Sequence, residues 1–406
     1  MPLRLAAAIV GTVALLLVPA AVAGSRDDFR LQLAGALRAP HVSPAQTGAV
    51  VLDLRTGQTV FAQNAGLALR PASNQKLATT YAALTALGPA FRIETDVLGD
   101  GQQNGATWRG NLVLKGYGDP ALSGAKLASL ARQVAAAGIR HVSGRILGDE
   151  SWFDTRRTGL GWKAKFYLHE SPALSALIVN RGWTGRYETS RPALFAAALF
   201  RLELHHAGVT VSGGSATGVA SNNAVQLGFV ESPTLSALVR HMDVYSDNFY
   251  AEMLLKEIGA VQGNRGSAAG GLAVTRRLLT AAGVPLTGVR MVDGSGLSLV
   301  DRWTPRALVT LLQTMWRDPD LEPYVVRALP IAGETGTLHS RMRSGPARGV
   351  VRAKTGTTDD SSALSGFVGS RYVFSILENG RPVKTVNAER SQNRFAQVLA
   401  RAAALS

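Results

Sequence analysis

Apolar residues near the start of the chain form two short segments separated by a turn. Residues 48–54 are almost continuously apolar, which predicts a buried strand, and residues 59–62 predict its return strand. A helix is expected next, because Leu77, Tyr81 and Leu84 recur at helical spacing and share one face. The pattern therefore predicts a small sheet followed directly by an amphipathic helix.

The pattern becomes shorter and more irregular between residues 91 and 226. Segments 93–98 and 108–114 predict strands on either side of a turn at 99–105. Segment 149–162 is rich in glycine, aspartate and aromatic residues, which is typical of structured loops. We interpret 91–226 as an inserted, β-rich accessory domain.

Helical periodicity dominates the remainder of the chain, and strand patterns return near its end. Thr304 followed by Pro305 is a typical helix start, with a cap residue before a proline in the first turn. From residue 126 onward, the predicted helices are 126–137, 192–207, 232–242, 248–259, 270–282, 304–316 and 389–404, and the predicted strands are 144–147, 289–292, 349–353, 363–369 and 372–377.

Residues 1–23 are typical of a secretory signal peptide. Arg4 supplies an early positive charge, residues 5–18 are apolar, and Ala21-Val22-Ala23 fits an A-x-A cleavage site. The alternative is an uncleaved membrane anchor, although the apolar run is short for a spanning helix. We therefore expect an exported protein in a periplasm or an extracellular cell wall. Cysteine is absent, so no disulfide framework is predicted.

The net charge of +15 and the isoelectric point near 10.6 indicate that the protein meets anionic partners. Nucleic acid is one such partner, but an exported protein meets anionic envelope polymers first. The charge is distributed as single arginines instead of runs, which favours an ordinary solvated surface. We therefore predict no nucleic-acid partner, and the oligomeric state stays open.

Ser73 and Lys76 are the first candidate catalytic pair. They stand three residues apart at the start of a predicted helix and therefore share one face. A serine hydroxyl needs a base to become a nucleophile, and a desolvated lysine can supply one, whereas arginine never deprotonates. Ser123 and Lys126 have the same spacing, but we interpret Ser123 as the cap of the helix that follows.

Two further motifs follow in the chain. Ser246-Asp247-Asn248 lies where a loop enters a predicted helix, so that a hydroxyl and an amide can face a cleft. The Ser-x-Asn pattern also occurs at 221–223, interpreted as a polar loop, and at 391–393, interpreted as a helix cap. Lys354-Thr355-Gly356 follows the predicted strand 349–353, and such a group on an edge strand can bind a carboxylate and allow close backbone approach.

In this order, S-x-x-K, S-D-N and K-T-G form the signature of class A β-lactamases and penicillin-binding proteins. Further stretches match one family within that group, and together they extend over nearly all of the mature chain. The sequence resembles the class C low-molecular-weight penicillin-binding proteins, the D-alanyl-D-alanine carboxypeptidase/endopeptidase family. The matching stretches are 71–77, 110–120, 148–151, 246–252, 293–298, 336–338 with 341–342, and 354–357.

The resemblance implies an α+β fold of the β-lactamase/DD-peptidase type, an antiparallel sheet flanked by helices. Residues 24–90 plus 227–406 would form this domain, and 91–226 would interrupt it. The implied activity is that of a serine D-alanyl-D-alanine carboxypeptidase and DD-endopeptidase acting on peptidoglycan peptides that end in D-Ala-D-Ala. β-Lactam antibiotics would act as acylating inhibitors, and no cofactor is implied.

Carried over residue by residue, the resemblance implies a nucleophile, its base and a substrate-binding strand. The catalytic residues would be Ser73, Lys76, Ser246 and Asn248, and the substrate-binding residues would be Lys354, Thr355, Gly356 and Thr357. The oxyanion hole would consist of the backbone N–H groups of Ser73 and Thr357. The histidines show no metal-ligand spacing, so no metal is predicted.

Two departures from the family pattern and two rival functions bear on this prediction. Asp301 stands where the family usually has asparagine, and Asp359-Asp360 adds negative charge near the carboxylate-binding strand. A serine β-lactamase is the nearest rival; it needs a carboxylate that activates a deacylating water, and we interpret Glu252 and Glu257 as surface residues. The other rival is a non-catalytic envelope protein that binds peptidoglycan.

Overall fold

The computed structural model describes residues 20–405, with side chains from Asp27 onward. Most of the predicted signal peptide, including its apolar run 5–18, lies outside the described residues. The first half of the described chain contains α1 (Ala20–Ala36), β1 (Thr47–Asp53), β2 (Thr59–Gln63), α2 (Lys76–Leu87), β3 (Glu94–Asn104), β4 (Thr107–Gly116), α3 (Gly124–Ala136), β5 (His141–Val142), β6 (Ile146–Asp149) and α4 (Pro192–His206).

The second half is helical first and then returns to strands. It contains β7 (Thr210–Val211), β8 (Ser215–Thr217), β9 (Val225–Glu231), α5 (Leu235–Tyr245), α6 (Asn248–Gly263), α7 (Ala268–Ala281), α8 (Pro305–Arg317), α9 (Glu322–Ala328), β10 (Val351–Thr358), β11 (Ser361–Val368), β12 (Tyr372–Asn379) and α10 (Thr385–Ala404). Within the described range, no helix is both long and apolar enough to cross a membrane.

A five-stranded antiparallel sheet joins the two ends of the chain. Its strand order is β10-β11-β12-β1-β2. Alternate residues of β1 point to opposite faces, so Val50 packs in the core with α2 and α8, and Val51 packs in the core with α1 and α10. Because both faces are covered, β1 and β11 are buried along their whole length. The arrangement is an α+β fold with helices on both sides of the sheet.

A second sheet is formed by strands from Glu94 to Glu231, and helices α3 and α4 pack against it. The predicted turn at 99–105 is wrong, because β3 and β4 form one long hairpin whose turn follows Asn104. Glycines allow this hairpin to continue: Gly101 faces Gly110, where a side chain would collide with the opposite backbone. The boundaries of the inserted domain stay a prediction.

Two other local predictions are also wrong. Residues 289–292 form no strand and contribute only an isolated bridge between Arg290 and Arg302. Ser391 does not cap the last helix, because α10 begins six residues earlier, at Thr385. The Ser391 hydroxyl instead donates to the buried carboxylate of Glu378. The helix therefore uses this serine to satisfy a buried acid on the adjacent strand.

Candidate active site

Ser73 lies in a short 3-10 turn, Ala72–Gln75, that leads directly into α2. Ala72 takes a left-handed backbone conformation, with φ of 45°. Asn74 is buried, and its Nδ2 donates to the carbonyl oxygen of Lys354 over 3.1 Å. These constraints fix the turn against strand β10 and leave Ser73 half-buried at its surface.

Lys76 is fully buried beneath Ser73. Its Nζ lies 3.0 Å from the Ser73 Oγ, 2.8 Å from the Asn248 Oδ1 and 2.8 Å from the Ser295 carbonyl oxygen. Burial lowers the pKa of Lys76 to about 8, against the opposing charge of Asp293 and other acids. The amine is thus held beside the hydroxyl with an accessible neutral form, which can accept its proton.

Ser246 and Lys354 form a second hydroxyl and amine pair. Ser246 ends α5 in a left-handed conformation, with φ of 59°, and the Lys354 Nζ donates to its Oγ over 2.8 Å. Lys354 is fully buried, and desolvation together with the charge of Lys76 lowers its pKa. The site therefore contains two neighbouring serine and lysine pairs.

Strand β10 extends through Lys354, Thr355 and Gly356, whereas the sequence predicted that the strand ends at Ala353. Backbone pairing with β11 continues through these residues to Thr358, so the motif lies within an edge strand. The Thr355 hydroxyl lies 2.7 Å from the Thr337 hydroxyl. Thr337 belongs to a segment that the resemblance matched but to which no role was assigned.

Gly356 brings the strand close to the nucleophile. A Cβ at this position would meet the Pro71 carbonyl oxygen at 2.9 Å and the Ser73 backbone nitrogen at 3.1 Å. These separations are shorter than normal van der Waals contact, so only glycine fits without displacement. Thr357, the next residue, is exposed beside Ser73's turn.

A buried turn, 293–298, supports Lys76 from below. The Asp293 carboxylate accepts from the backbone N–H groups of Gly296 and Ser298, over 2.7 and 2.8 Å, and from the Trp162 indole over 2.7 Å. This turn directs the Ser295 carbonyl oxygen at Lys76. The sequence matched this turn to the family, but it did not indicate the contact with Lys76.

The interpretation of Glu252 and Glu257 as surface residues is wrong. Both side chains are buried, because α6 is covered on all sides. Glu252 accepts from the backbone N–H of Ser295 over 2.8 Å, and Glu257 accepts from the Trp152 indole over 2.9 Å. Burial raises the pKa of each to about 8.

Asp301 is buried next to Asp293. Its Oδ1 accepts from the Val292 backbone N–H over 2.7 Å, whereas its buried Oδ2 has no hydrogen-bond partner among the described residues. Burial and the charge of Asp293 raise the pKa of Asp301 well above its ordinary value. A protonated carboxyl group at this position can donate to Asp293, as an asparagine amide would.

The negative charge of Asp359 and Asp360 is compensated by cations. Asp359 lies 2.8 Å from the Lys163 Nζ, and Lys165 is close by at 3.7 Å. Asp360 lies 2.6 Å from the guanidinium of Arg70. Because both acids are paired with cations, they do not repel an anionic substrate in the way that unpaired carboxylates would.

Residues 163–170 border the site. The carbonyl oxygen of Glu170 accepts from the Asn248 Nδ2 over 3.1 Å. A cavity of about 530 Å³ opens here, lined by Phe166, Glu170 and Thr357 among others. Among the described side chains, no group of three or more His, Cys, Asp or Glu residues could hold a metal ion.

The site therefore combines a nucleophilic hydroxyl, a buried amine within hydrogen-bond distance, and an edge strand that bears a lysine and a glycine. This combination can transfer an acyl group from an extended peptide to serine and then to water. All eight residues predicted from the sequence lie around one cleft. The fold and the cleft together define a serine peptidase of the DD-peptidase type.

Comparison with known proteins identifies the family. The D-Ala-D-Ala carboxypeptidase 3 (S13) family matches residues 29–191 and 184–403. A D-alanyl-D-alanine carboxypeptidase from Actinomadura sp. (strain R39) is 31% identical, over 87% of this chain and 81% of the relative. The chain belongs to the D-Ala-D-Ala carboxypeptidase 3 (S13) family and is a serine-type carboxypeptidase.

Solved structures show the same fold. Penicillin binding protein 4 from Haemophilus influenzae superposes with a TM-score of 0.82 at 21% identity, over 92% of this chain and 98% of that one. A predatory peptidoglycan endopeptidase from Bdellovibrio bacteriovorus gives a TM-score of 0.54 at 15% identity, over 82% and 86% of the two chains. The predicted fold class and family are thus confirmed.

Proposed function

We propose that this carboxypeptidase removes the terminal D-alanine from peptidoglycan stem peptides through an acyl-enzyme on Ser73. The observation that supports this most strongly is the fully buried Lys76, whose Nζ lies 3.0 Å from the Ser73 Oγ. Because burial lowers the pKa of Lys76 to about 8, a substantial fraction of the amine is neutral near physiological pH.

In the first step, the Ser73 Oγ attacks the carbonyl carbon of the penultimate D-alanine, and its proton passes to Lys76. The negative charge that develops on the carbonyl oxygen is stabilised by the backbone N–H groups of Ser73 and Thr357. The C–N bond then breaks, and the proton taken up by Lys76 passes through the Ser246 hydroxyl to the leaving amine. Water hydrolyses the ester and regenerates the Ser73 hydroxyl.

The terminal carboxylate of the substrate binds to Lys354 and Thr355. The Lys354 Nζ donates to the Ser246 Oγ. Lys354 therefore orients the hydroxyl that relays the proton and also faces the carboxylate end of the substrate. A bound carboxylate favours the charged form of this buried lysine, which compensates for its desolvation. The hydroxyl pair of Thr355 and Thr337 supplies a neutral hydrogen-bond donor beside it.

The same cleft would also cut D-alanyl cross-links, which requires room for a second peptide chain. The cavity beside Thr357 provides about 530 Å³ for it. A related fold belongs to a peptidoglycan endopeptidase, and the Haemophilus influenzae protein has been solved with a β-lactam bound. We infer that β-lactams acylate Ser73 and that the predicted export brings the enzyme to its cell-wall substrate.

Release of D-alanine from a synthetic pentapeptide tests the proposal. We expect the parent chain to release D-alanine, Ser73→Ala to release none, and Ser123→Ala to match the parent. Ser123 is a suitable control because it has the same spacing to a lysine, yet Lys126 is paired with Asp119 over 2.8 Å. Absence of release from the folded parent would favour the non-catalytic binding protein.

A further inference from the structure

A second, strongly basic cavity lies beside the catalytic turn. It has a volume of about 360 Å³, and three arginines line it: Arg70, Arg302 and Arg381. Arg70 lies three residues before Ser73, whereas the other two come from the segments before α8 and after β12. We call these three residues with Asp360 the arginine cavity.

The positive charge of the arginine cavity is only partly compensated. Asp360 is its one acidic lining residue among those described, and it pairs with Arg70 at 2.6 Å. Neither Arg302 nor Arg381 forms a salt bridge with any described acid. Burial and the charges of Arg70, Arg290 and Arg381 lower the pKa of Arg302, against the opposing charge of Asp301.

Hydrogen bonds to backbone carbonyl oxygens hold two of the three guanidinium groups, those of Arg70 and Arg302. Arg302 Nη1 donates to the carbonyl oxygens of Leu299 and Asp301, over 3.0 and 2.6 Å. Arg70 Nε donates to the same Leu299 oxygen over 3.1 Å. Asn379 holds the Arg70 backbone through two hydrogen bonds, of 2.8 and 3.1 Å. Two of the three charges are therefore held at the cavity before a ligand binds, which lowers the entropic cost of binding.

We propose that the arginine cavity binds a phosphate group. Three guanidinium groups from separate segments can surround the several oxygens of a phosphate, whereas a carboxylate uses a single guanidinium fork. Three arginines and one aspartate leave a net charge of about +2, which favours an anionic phosphate group. The cavity also exceeds the size of one phosphate, so it can admit the group that bears it.

The arginine cavity is separate from the catalytic cleft. Asp359 lines the cavity beside Thr357, and its neighbour Asp360 lines the arginine cavity, so the turn between β10 and β11 divides them. The phosphate has two possible sources: a free phosphate compound, or a phosphate diester of an envelope polymer. In the second case, the enzyme would bind the wall next to its peptide substrate.

Isothermal titration calorimetry with sodium pyrophosphate at low ionic strength tests the site on the full mature chain. We expect saturable binding by the parent, and binding weaker by about tenfold for both Arg381→Gln and Arg302→Gln, because each removes a charged donor. Arg109→Gln is the matched control, since it removes one exposed arginine from the second sheet. It is expected to bind like the parent.

Acylation by benzylpenicillin shows that each variant is folded, and Arg381→Gln is expected to react at the parent rate. Competition by poly(glycerol phosphate) against pyrophosphate would assign the site to a polymer, whereas binding of pyrophosphate without such competition would assign it to a free phosphate compound. Either result supports the site. Equal affinity of Arg109→Gln and the two cavity variants, or no binding by the parent, would overturn the proposal.

Discussion

At the residue scale, the central feature is the environment of Lys76. Three acceptors surround its Nζ at 2.8 to 3.0 Å, and the side chain has no exposed surface. The motif indicated that a lysine stands near a serine. The lowered pKa depends on burial by α6 and the turn 293–298, which are distant in sequence and cannot be derived from the motif.

The pH dependence of acylation follows from this pKa. A general base must be unprotonated, so the rate of acylation should rise about tenfold per pH unit below pH 8 and level off above it. The measurement is the second-order rate of benzylpenicillin acylation from pH 6 to pH 10, followed by quenched mass spectrometry. A flat profile over this range would exclude Lys76 as the base, and Lys76→Arg should be inactive at every pH.

Asp301→Asn should alter the pH dependence of stability. The folded-state pKa of Asp301 is raised, so the folded chain binds a proton that the unfolded chain loses near pH 4. Stability of the parent therefore falls as the pH rises above that value, by up to about 1.4 kcal/mol per unit from this group.

Asparagine cannot lose that proton and keeps the shape of the side chain. Guanidinium unfolding at pH 5, 6.5 and 8 should show the stability difference, Asp301→Asn minus parent, growing with pH. A difference that stays constant over this range would show that Asp301 is ionised in the folded protein. The departure from the family's asparagine would then need another explanation.

At the element scale, the site depends on the contact between β10 and the Ala72–Gln75 turn. The sequence predicted both elements but ended the strand too early, since a Lys-Thr-Gly segment resembles a turn when its pairing with β11 is unknown. The same limitation explains the wrong interpretation of Glu252 and Glu257 as surface residues. A helix with regularly spaced acids resembles a solvated helix until the elements packed against it are known.

Gly356→Ala should lower the acylation rate by a larger factor than it lowers the equilibrium constant for folding. Its Cβ would lie 2.9 Å from the Pro71 carbonyl oxygen and 3.0 Å from the Ala72 Cβ, so the strand must move away from the nucleophile. A displacement of this size should slow benzylpenicillin acylation by about tenfold or more. The control is Gly66→Ala, where nothing lies within 4 Å of the added carbon.

Both variants should be compared by acylation rate and by thermal unfolding. Gly66→Ala should match the parent in both measurements. A parent-like acylation rate for Gly356→Ala would show that the strand accommodates the methyl group, and that close approach at this position is not required.

At the scale of the whole molecule, the catalytic sheet combines strands from both ends of the chain. Pairing of β1 with β12 joins Thr47 to Glu378, a contact that no local pattern predicts. The family resemblance implied this arrangement, whereas periodicity alone gave separate elements. The approach of residues 163–170 to the cleft is likewise a tertiary feature, formed by contacts with Asn248 and Asp359.

Removal of the cation beside Asp359 should weaken binding of anionic substrates. In Lys163→Ala, the acidic side chain loses its partner at 2.8 Å, so KM for a peptide ending in a carboxylate should rise about two- to fivefold. The double variant Lys163→Ala with Asp359→Asn should restore KM, and added salt should reduce the effect. An unchanged KM in the single variant would mean that Lys165 alone compensates the acid.

Intact-protein mass spectrometry after incubation with benzylpenicillin, followed by peptide mapping, tests Ser73 as the nucleophile most directly. One persistent adduct is expected on the parent and on Ser123→Ala, located on the peptide that contains Ser73, and none on Ser73→Ala. An adduct on Ser73→Ala, or on another serine of the parent, would contradict Ser73 as the nucleophile. Rapid hydrolysis of the drug without a lasting adduct would instead identify a β-lactamase.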